Sequence, residues 1–155
     1  MLDPRLLYHV GVRVRDVDAA MAELGERLGL TWCPAIEARQ QVWAPGRGPE
    51  VAELRFTYST SGPLHVELLQ GPPGSVWDPG DRTGIHHTGA WVDDVAGETG
   101  RLVAAGWVLE AAELPPEQGY GSFTYVRSPD GFLLEPVASR LRPAFERWWA
   151  GGATA

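Results

Sequence analysis

The sequence predicts an α+β fold of two βαβββ modules in tandem. Each module opens on a strand, crosses through a helix and closes on three more strands. One supporting observation is an internal repeat. HVGVRVRDVDAAMAEL, starting at His9, returns as HTGAWVDDVAGETGRL, starting at His87, which matches Gly11 to Gly89, Asp16 to Asp94 and Leu24 to Leu102. Self-similarity of this kind marks a duplicated unit. The other is that each copy passes from two-residue alternation to helical spacing.

In the opening strand, residues 7–14 place Tyr8, Val10, Val12 and Val14 on one face and His9, Gly11 and Arg13 on the other. In the second copy His87, Gly89 and Trp91 share a face. Each histidine therefore has a glycine two residues on, which leaves open space beside the imidazole. Asp16 and Asp94 are the expected helix N-caps, because a carboxylate accepts the orphan N–H groups of a first turn. Val17, Met21, Leu24 and Leu28 then recur at helical spacing up to a terminator at Gly29. The second helix carries Val95, Leu102 and Val103 and ends near Gly106, weakened by Gly97 and Gly100. Strands are expected at 31–43, 51–58 and 64–70, with 44–50 as a loop, and at 107–113, 121–127 and 132–137, with a tight turn at Ser128-Pro129-Asp130-Gly131. The organisation is a first module over 1–70, a Pro/Gly-rich connector over 71–84, a second module over 85–138 and a C-terminal helix and tail over 139–155. Leu141, Phe145, Trp148 and Trp149 make that helix apolar, so it packs on the sheet or on a partner.

Composition narrows the function. The chain has 155 residues and a net charge of −7, and its basic residues are all arginine. A net acidic chain with scattered arginines is a poor nucleic-acid binder. With no lysine, no side-chain Schiff base can form. A single cysteine, Cys33, excludes an internal disulfide and any multi-cysteine zinc site. No apolar run is long enough to span a membrane, and the N-terminus lacks an apolar signal core, so a cytoplasmic location is expected.

The chemistry lies in matching positions of the two modules. The strand LHVELLQ puts His65 and Glu67 on one face, and FLLEPV centres Glu135 among apolar residues. A carboxylate there is costly unless it is paired or bound to a metal. Taken singly, His9 reads as a structural histidine, and Glu67 and Glu135 read as surface carboxylates. In duplicated register they converge as two imidazoles and two carboxylates, a donor set suited to one divalent transition ion such as Ni, Co, Zn or Fe.

HVGVRVRDVDAA, HVELLQ, GIHHTGAWVDDV and SPDGFLLEPV resemble the vicinal oxygen chelate superfamily, which includes glyoxalase I, methylmalonyl-CoA epimerase, bleomycin-resistance proteins and extradiol dioxygenases. The resemblance covers residues 6–138. It implies a cup-shaped mixed sheet with helices on its outer face, and metal ligands at His9, Glu67, His87 and Glu135. It also implies proton transfer next to a carbonyl through a metal-stabilised enediolate, with Glu135 the first choice for the acid–base role and Glu67 its symmetry mate. The expected outcome is isomerase, epimerase or lyase chemistry on a small molecule with adjacent oxygens, hydrophobic or aromatic in body. Two alternatives stand beside it: an Fe(II) extradiol-type dioxygenase using His9, His87 and Glu135, and a non-catalytic binder of the bleomycin-resistance type. A homodimer is expected, with the C-terminal helix as a suitable interface.

Arg13, His65 and Trp91 are the expected substrate-pocket residues, because each shares the face of a ligand. His86 lacks the repeat register of His87 and is assigned to the helix-covered side or a strand edge. Glutathione or coenzyme A recognition would call on basic groups at the mouth, for which Arg13, Arg47, Arg82 and Arg127 are the candidates.

Overall fold

A computed structural model describes residues 2–81 and 83–151. Arg82 and the tail from residue 152 lie outside the described residues. The first half contains β1 (Leu7–Arg13), α1 (Val17–Leu28), β2 (Ile36–Ala44), β3 (Gly48–Tyr58) and β4 (His65–Gln70). The second contains β5 (Gly84–Val92), α2 (Val95–Ala104), β6 (Val108–Ala112), β7 (Thr124–Arg127), β8 (Leu133–Ala138) and α3 (Arg142–Trp149). The eight strands curve into a closed mixed sheet in the order β1-β4-β3-β2-β6-β7-β8-β5. β1 and β5 run antiparallel along their length and form one seam between the halves. The opposite seam is slight, with β2 and β6 meeting at Trp43 and Ala112.

Both caps form as the aspartates require. Asp16 accepts a hydrogen bond from the Ala19 N–H at 3.0 Å, and Asp94 from the Gly97 N–H at 2.9 Å. Asp16→Ala is expected to cost about 1 kcal/mol of stability, measured as a lowered urea midpoint with an unchanged slope. The strand expected from residue 31 begins at Ile36, because Pro34 has no N–H to donate to a ladder. The loop expected over 44–50 is a tight hairpin instead. Gly46 and Gly48 take φ of 78° and 81°, which lets β2 and β3 pair as far as Ala44 and Gly48.

α1 and α2 lie on the outside of the sheet, and the inside holds the largest apolar cluster, including Tyr8, Val42, Trp77, Trp91, Tyr125 and Trp148. Trp77 reaches it from the connector, is 1% exposed, and donates its indole N–H to the Tyr125 hydroxyl at 3.0 Å. α3 also packs on this inner cluster through Phe145, Trp148 and Trp149. No described helix is long and apolar enough to cross a membrane.

Candidate metal centre

The site follows from strand register. Gly11 on β1 pairs with Glu67 on β4 and with His87 on β5. Gly89 on β5 pairs with His9 on β1 and with Glu135 on β8. Each glycine thus stands between the glutamate of its own half and the histidine of the other. A Cβ on Gly11 would lie 2.1 Å from His87 Cε1, and one on Gly89 would lie 1.9 Å from His9 Cε1. The space beside each imidazole is therefore occupied by the opposite half's imidazole.

The four donors meet inside the sheet, and all four residues are buried. His9 Nε2 and His87 Nε2 are 2.8 Å apart. Glu135 Oε2 is 3.2 Å from each, and Glu67 Oε2 is 3.4 Å from His9 Nε2 and 3.3 Å from His87 Nε2. An ion with bonds of about 2.1 Å sets neighbouring ligands about 3.0–3.4 Å apart; the four carboxylate–imidazole distances fall in that range, and the two imidazoles, in hydrogen-bond contact without the ion, would part by a few tenths of an ångström to receive it. His9, His87 and Glu135 have ligand atoms all within 4.8 Å of one another. Glu67 Oε2 is buried without a hydrogen bond of good geometry, as is His9 Nδ1. An orphaned oxygen such as that of Glu67, which faces the cluster, is rare in a folded chain and fits a site built for a further group.

The electrostatics point the same way. Burial works against a charged His87, yet Glu135 and Glu67 outweigh it and hold its pKa up at about 9. His9 is raised by the same balance of burial against Glu67 and Glu135. Burial likewise opposes ionisation of Glu135 and Glu67, but the two imidazoles hold both carboxyls below their ordinary range. Burial and the two glutamates push the hydroxyls of Tyr8, Tyr58 and Tyr125 well above the usual tyrosine value.

The other expected site residues stand further off. His65 pairs with His9 in register, but its Nδ1 meets the Ser59 carbonyl at 2.7 Å and its ring stacks on Trp149. Trp91 stacks under Tyr8, with ring centroids 3.8 Å apart. Arg13 lies close to His86 and Asp78; the pKa of the Asp78 carboxyl is lowered chiefly by the Gly74 and Gly80 N–H groups and further by Arg13.

Two placements correct the strand alternation. The β1–β5 register slips by one residue at Tyr8 and again at His86. These are equivalent positions, each just before a ligand histidine. A bulge turns the extra residue out of alternation. Tyr8 consequently lines the interior against His9, with ring centroids 4.4 Å apart. His86 is neither on the helix side nor at an edge. Its Nδ1 lies 3.1 Å from His87 Nδ1 and its ring packs on Tyr125. Burial, then His87 and Arg13, push its pKa down to about 3, so His86 is neutral at ordinary pH. Tyr58 and Tyr125 escaped the reading of the sequence. Tyr58 pairs with Glu67, and Tyr125 immediately precedes Val126, the partner of Leu134 beside Glu135. An aromatic facing each strand glutamate was the available signal.

Residues 8–125 match the glyoxalase/bleomycin resistance protein/dioxygenase superfamily. No curated protein matches the chain. Among solved structures, it is similar to a Streptomyces coelicolor methylmalonyl-CoA epimerase variant in complex with 2-nitronate-propionyl-CoA, at 17% identity and a TM-score of 0.58 over 85% of this chain and 92% of that one. Methylmalonyl-CoA epimerase from Mycobacterium tuberculosis aligns at 20% identity and a TM-score of 0.57 over 89% and 92%. A hypothetical protein from Bacillus halodurans aligns at 20% identity and a TM-score of 0.56 over 85% and 92%. At these identities the likeness is one of fold. The match across most of its length makes the chain a member of the glyoxalase/bleomycin resistance protein/dioxygenase superfamily.

Proposed function

We propose that the protein is a metal-dependent proton-transfer enzyme of the glyoxalase type, an isomerase, epimerase or lyase acting on a small molecule with adjacent oxygens. The observation that carries this reading is the convergence of two imidazoles and two carboxylates, one of each from either half, inside an apolar interior. His9, His87 and Glu135 would hold the ion, with Glu67 against both imidazoles. A bound divalent ion supplies a Lewis acid that polarises a carbonyl. Glu67 takes the proton from the neighbouring carbon and returns it as general base and acid. Its place outside the His9, His87 and Glu135 set supports Glu67 for this role ahead of Glu135, the reverse of the order expected from the sequence. The aromatic wall keeps water from the exposed carbanion.

Metal analysis of untagged protein tests the reading. About one Ni, Co, Zn or Fe ion per chain is expected, lost in Glu135→Ala. A chain that refuses all four metals overturns it. The His9, His87 and Glu135 set also matches the two-histidine, one-carboxylate arrangement of ferrous oxygenases. Oxygen consumption by iron-loaded protein would favour that second reading.

Metal affinity should climb with pH. In the metal-free protein His87 keeps its proton up to about pH 9, and a metal must displace that proton to reach Nε2. Below this pH the proton competes, so affinity falls as pH falls, by roughly tenfold per unit for one proton. Chelator competition between about pH 6 and pH 9 measures it, and a flat profile would contradict it.

A further inference from the structure

The cavity against the donor cluster measures about 120 Å³. Pockets for drug-sized ligands run to about 300–1,000 Å³. Its walls explain its size. Tyr8, Tyr58, Trp77, Phe123 and Tyr125 come from the sheet and connector, and Leu141 and Phe145 close it from the C-terminal segment. Phe145 stands edge-on to Tyr8, Tyr58 and Trp91, with ring centroids 6.5, 5.5 and 5.6 Å away. Its neighbours on α3 fix it there. Trp148 is 3% exposed, and its carbonyl accepts from the Cys33 thiol at 3.6 Å. Trp149 stacks on His65 at 3.8 Å. α3 is thus seated as a plug and not laid on the surface.

The charge of the lining is as selective as its volume. Apart from Glu67 and Glu135, the residues lining this cavity are uncharged. An additional anionic group on a ligand would enter a buried space where the imidazoles or the ion already balance the two carboxylates and no cationic side chain lines the wall to receive it. Two of the arginines eligible for coenzyme A phosphates are engaged elsewhere. Arg47 pairs with Glu50 at 2.8 Å, and Arg127 reaches Glu110 and the Gly131 carbonyl at 2.9 Å each.

We propose that α3 is the specificity element of the cup and fits it to a compact, uncharged molecule with an apolar or aromatic body beside its two oxygens. This rests on reading the donor cluster as a metal site. α3 lies beyond the segment 8–125 that matches the superfamily.

The test uses zinc-loaded full-length protein and three probes sharing one chelating head: benzohydroxamate, the larger 2-naphthohydroxamate, and succinic monohydroxamate with its distal carboxylate. Titration calorimetry is expected to show benzohydroxamate binding at least roughly tenfold more tightly than either of the others. Phe145→Ala should raise the affinity for 2-naphthohydroxamate relative to benzohydroxamate by roughly tenfold, at unchanged zinc content. Phe145→Leu, which keeps more of the packing of α3, should move the ratio the same way by less. Equal binding of succinic monohydroxamate and benzohydroxamate overturns the proposal, and so does a size ratio unmoved in both variants. If the chain takes up no zinc, the titrations are run on nickel-, cobalt- or iron-loaded protein; if it refuses all four, the metal reading has failed and the plug is judged on metal-free protein. Quenching of tryptophan emission by phenol but not by 2-naphthol, with 2-naphthol admitted by Phe145→Ala, supports it. Equal access of both to the wild type overturns it.

Discussion

Gly89→Ala is expected to strip the site of its metal although it removes no ligand. The added methyl would stand 1.9 Å from His9 Cε1, far inside contact distance. The backbone cannot move aside, because Gly89 is paired to β1 on one flank and to β8 on the other. The imidazole has nowhere to go either, since His9 is 0% exposed and packed between Tyr8 and Tyr58. Metal affinity should fall by roughly 10–100-fold, and overpacking should cost about 1–3 kcal/mol of stability. Gly11→Ala should repeat the effect on His87, where the approach is 2.1 Å. Calorimetric metal titration beside circular dichroism separates the local loss from unfolding. A folded Gly89→Ala protein with unchanged affinity would mean that His9 is not a ligand.

Glu67→Gln should do the opposite, keeping the metal and losing the reaction. A carboxamide preserves shape and an oxygen donor but cannot accept the proton. Under the proposed roles, exchange of a carbon-bound proton should slow by roughly 10²–10⁴-fold. Deuterium incorporation into the methylene of 2-hydroxyacetophenone, followed by NMR in heavy water, is a suitable readout, because that molecule is compact, neutral and carries adjacent oxygens. Glu135→Gln should instead show its first loss in metal content. Full metal and undiminished exchange in Glu67→Gln would move the proton-carrying role to Glu135.

The repeat made much of this legible before any coordinates. Matching the two copies aligns His9 with His87 and Asp16 with Asp94, and both aspartates cap helices as a short acceptor before an apolar period should. What escaped depends on pairing between strands remote in sequence. Alternation places Tyr8 opposite His9, and only the one-residue slip against β5 turns it inward. The same slip brings His86 to His87. Gly11 and Gly89 read as space beside their own histidines, whereas the β1–β5 register assigns that space to the other half's ring. Periodicity likewise shows that α3 is apolar on one side but not which surface it covers. The structure seats it in its own cup, so Trp148 is already buried within one chain.

The unequal seams of the sheet decide where the molecule yields first. β1 and β5 are joined along their length, whereas β2 and β6 touch at Trp43 and Ala112. Opening follows the fewest hydrogen bonds, so thermal breathing is expected to part the β2–β6 side first and to swing the halves about β1–β5. His9 and His87 ride on that axis, where a rotation displaces atoms least. The distant wall can therefore gape for a visiting molecule while the donors keep their spacing, as the rivet of a pair of shears stays still while the blades move.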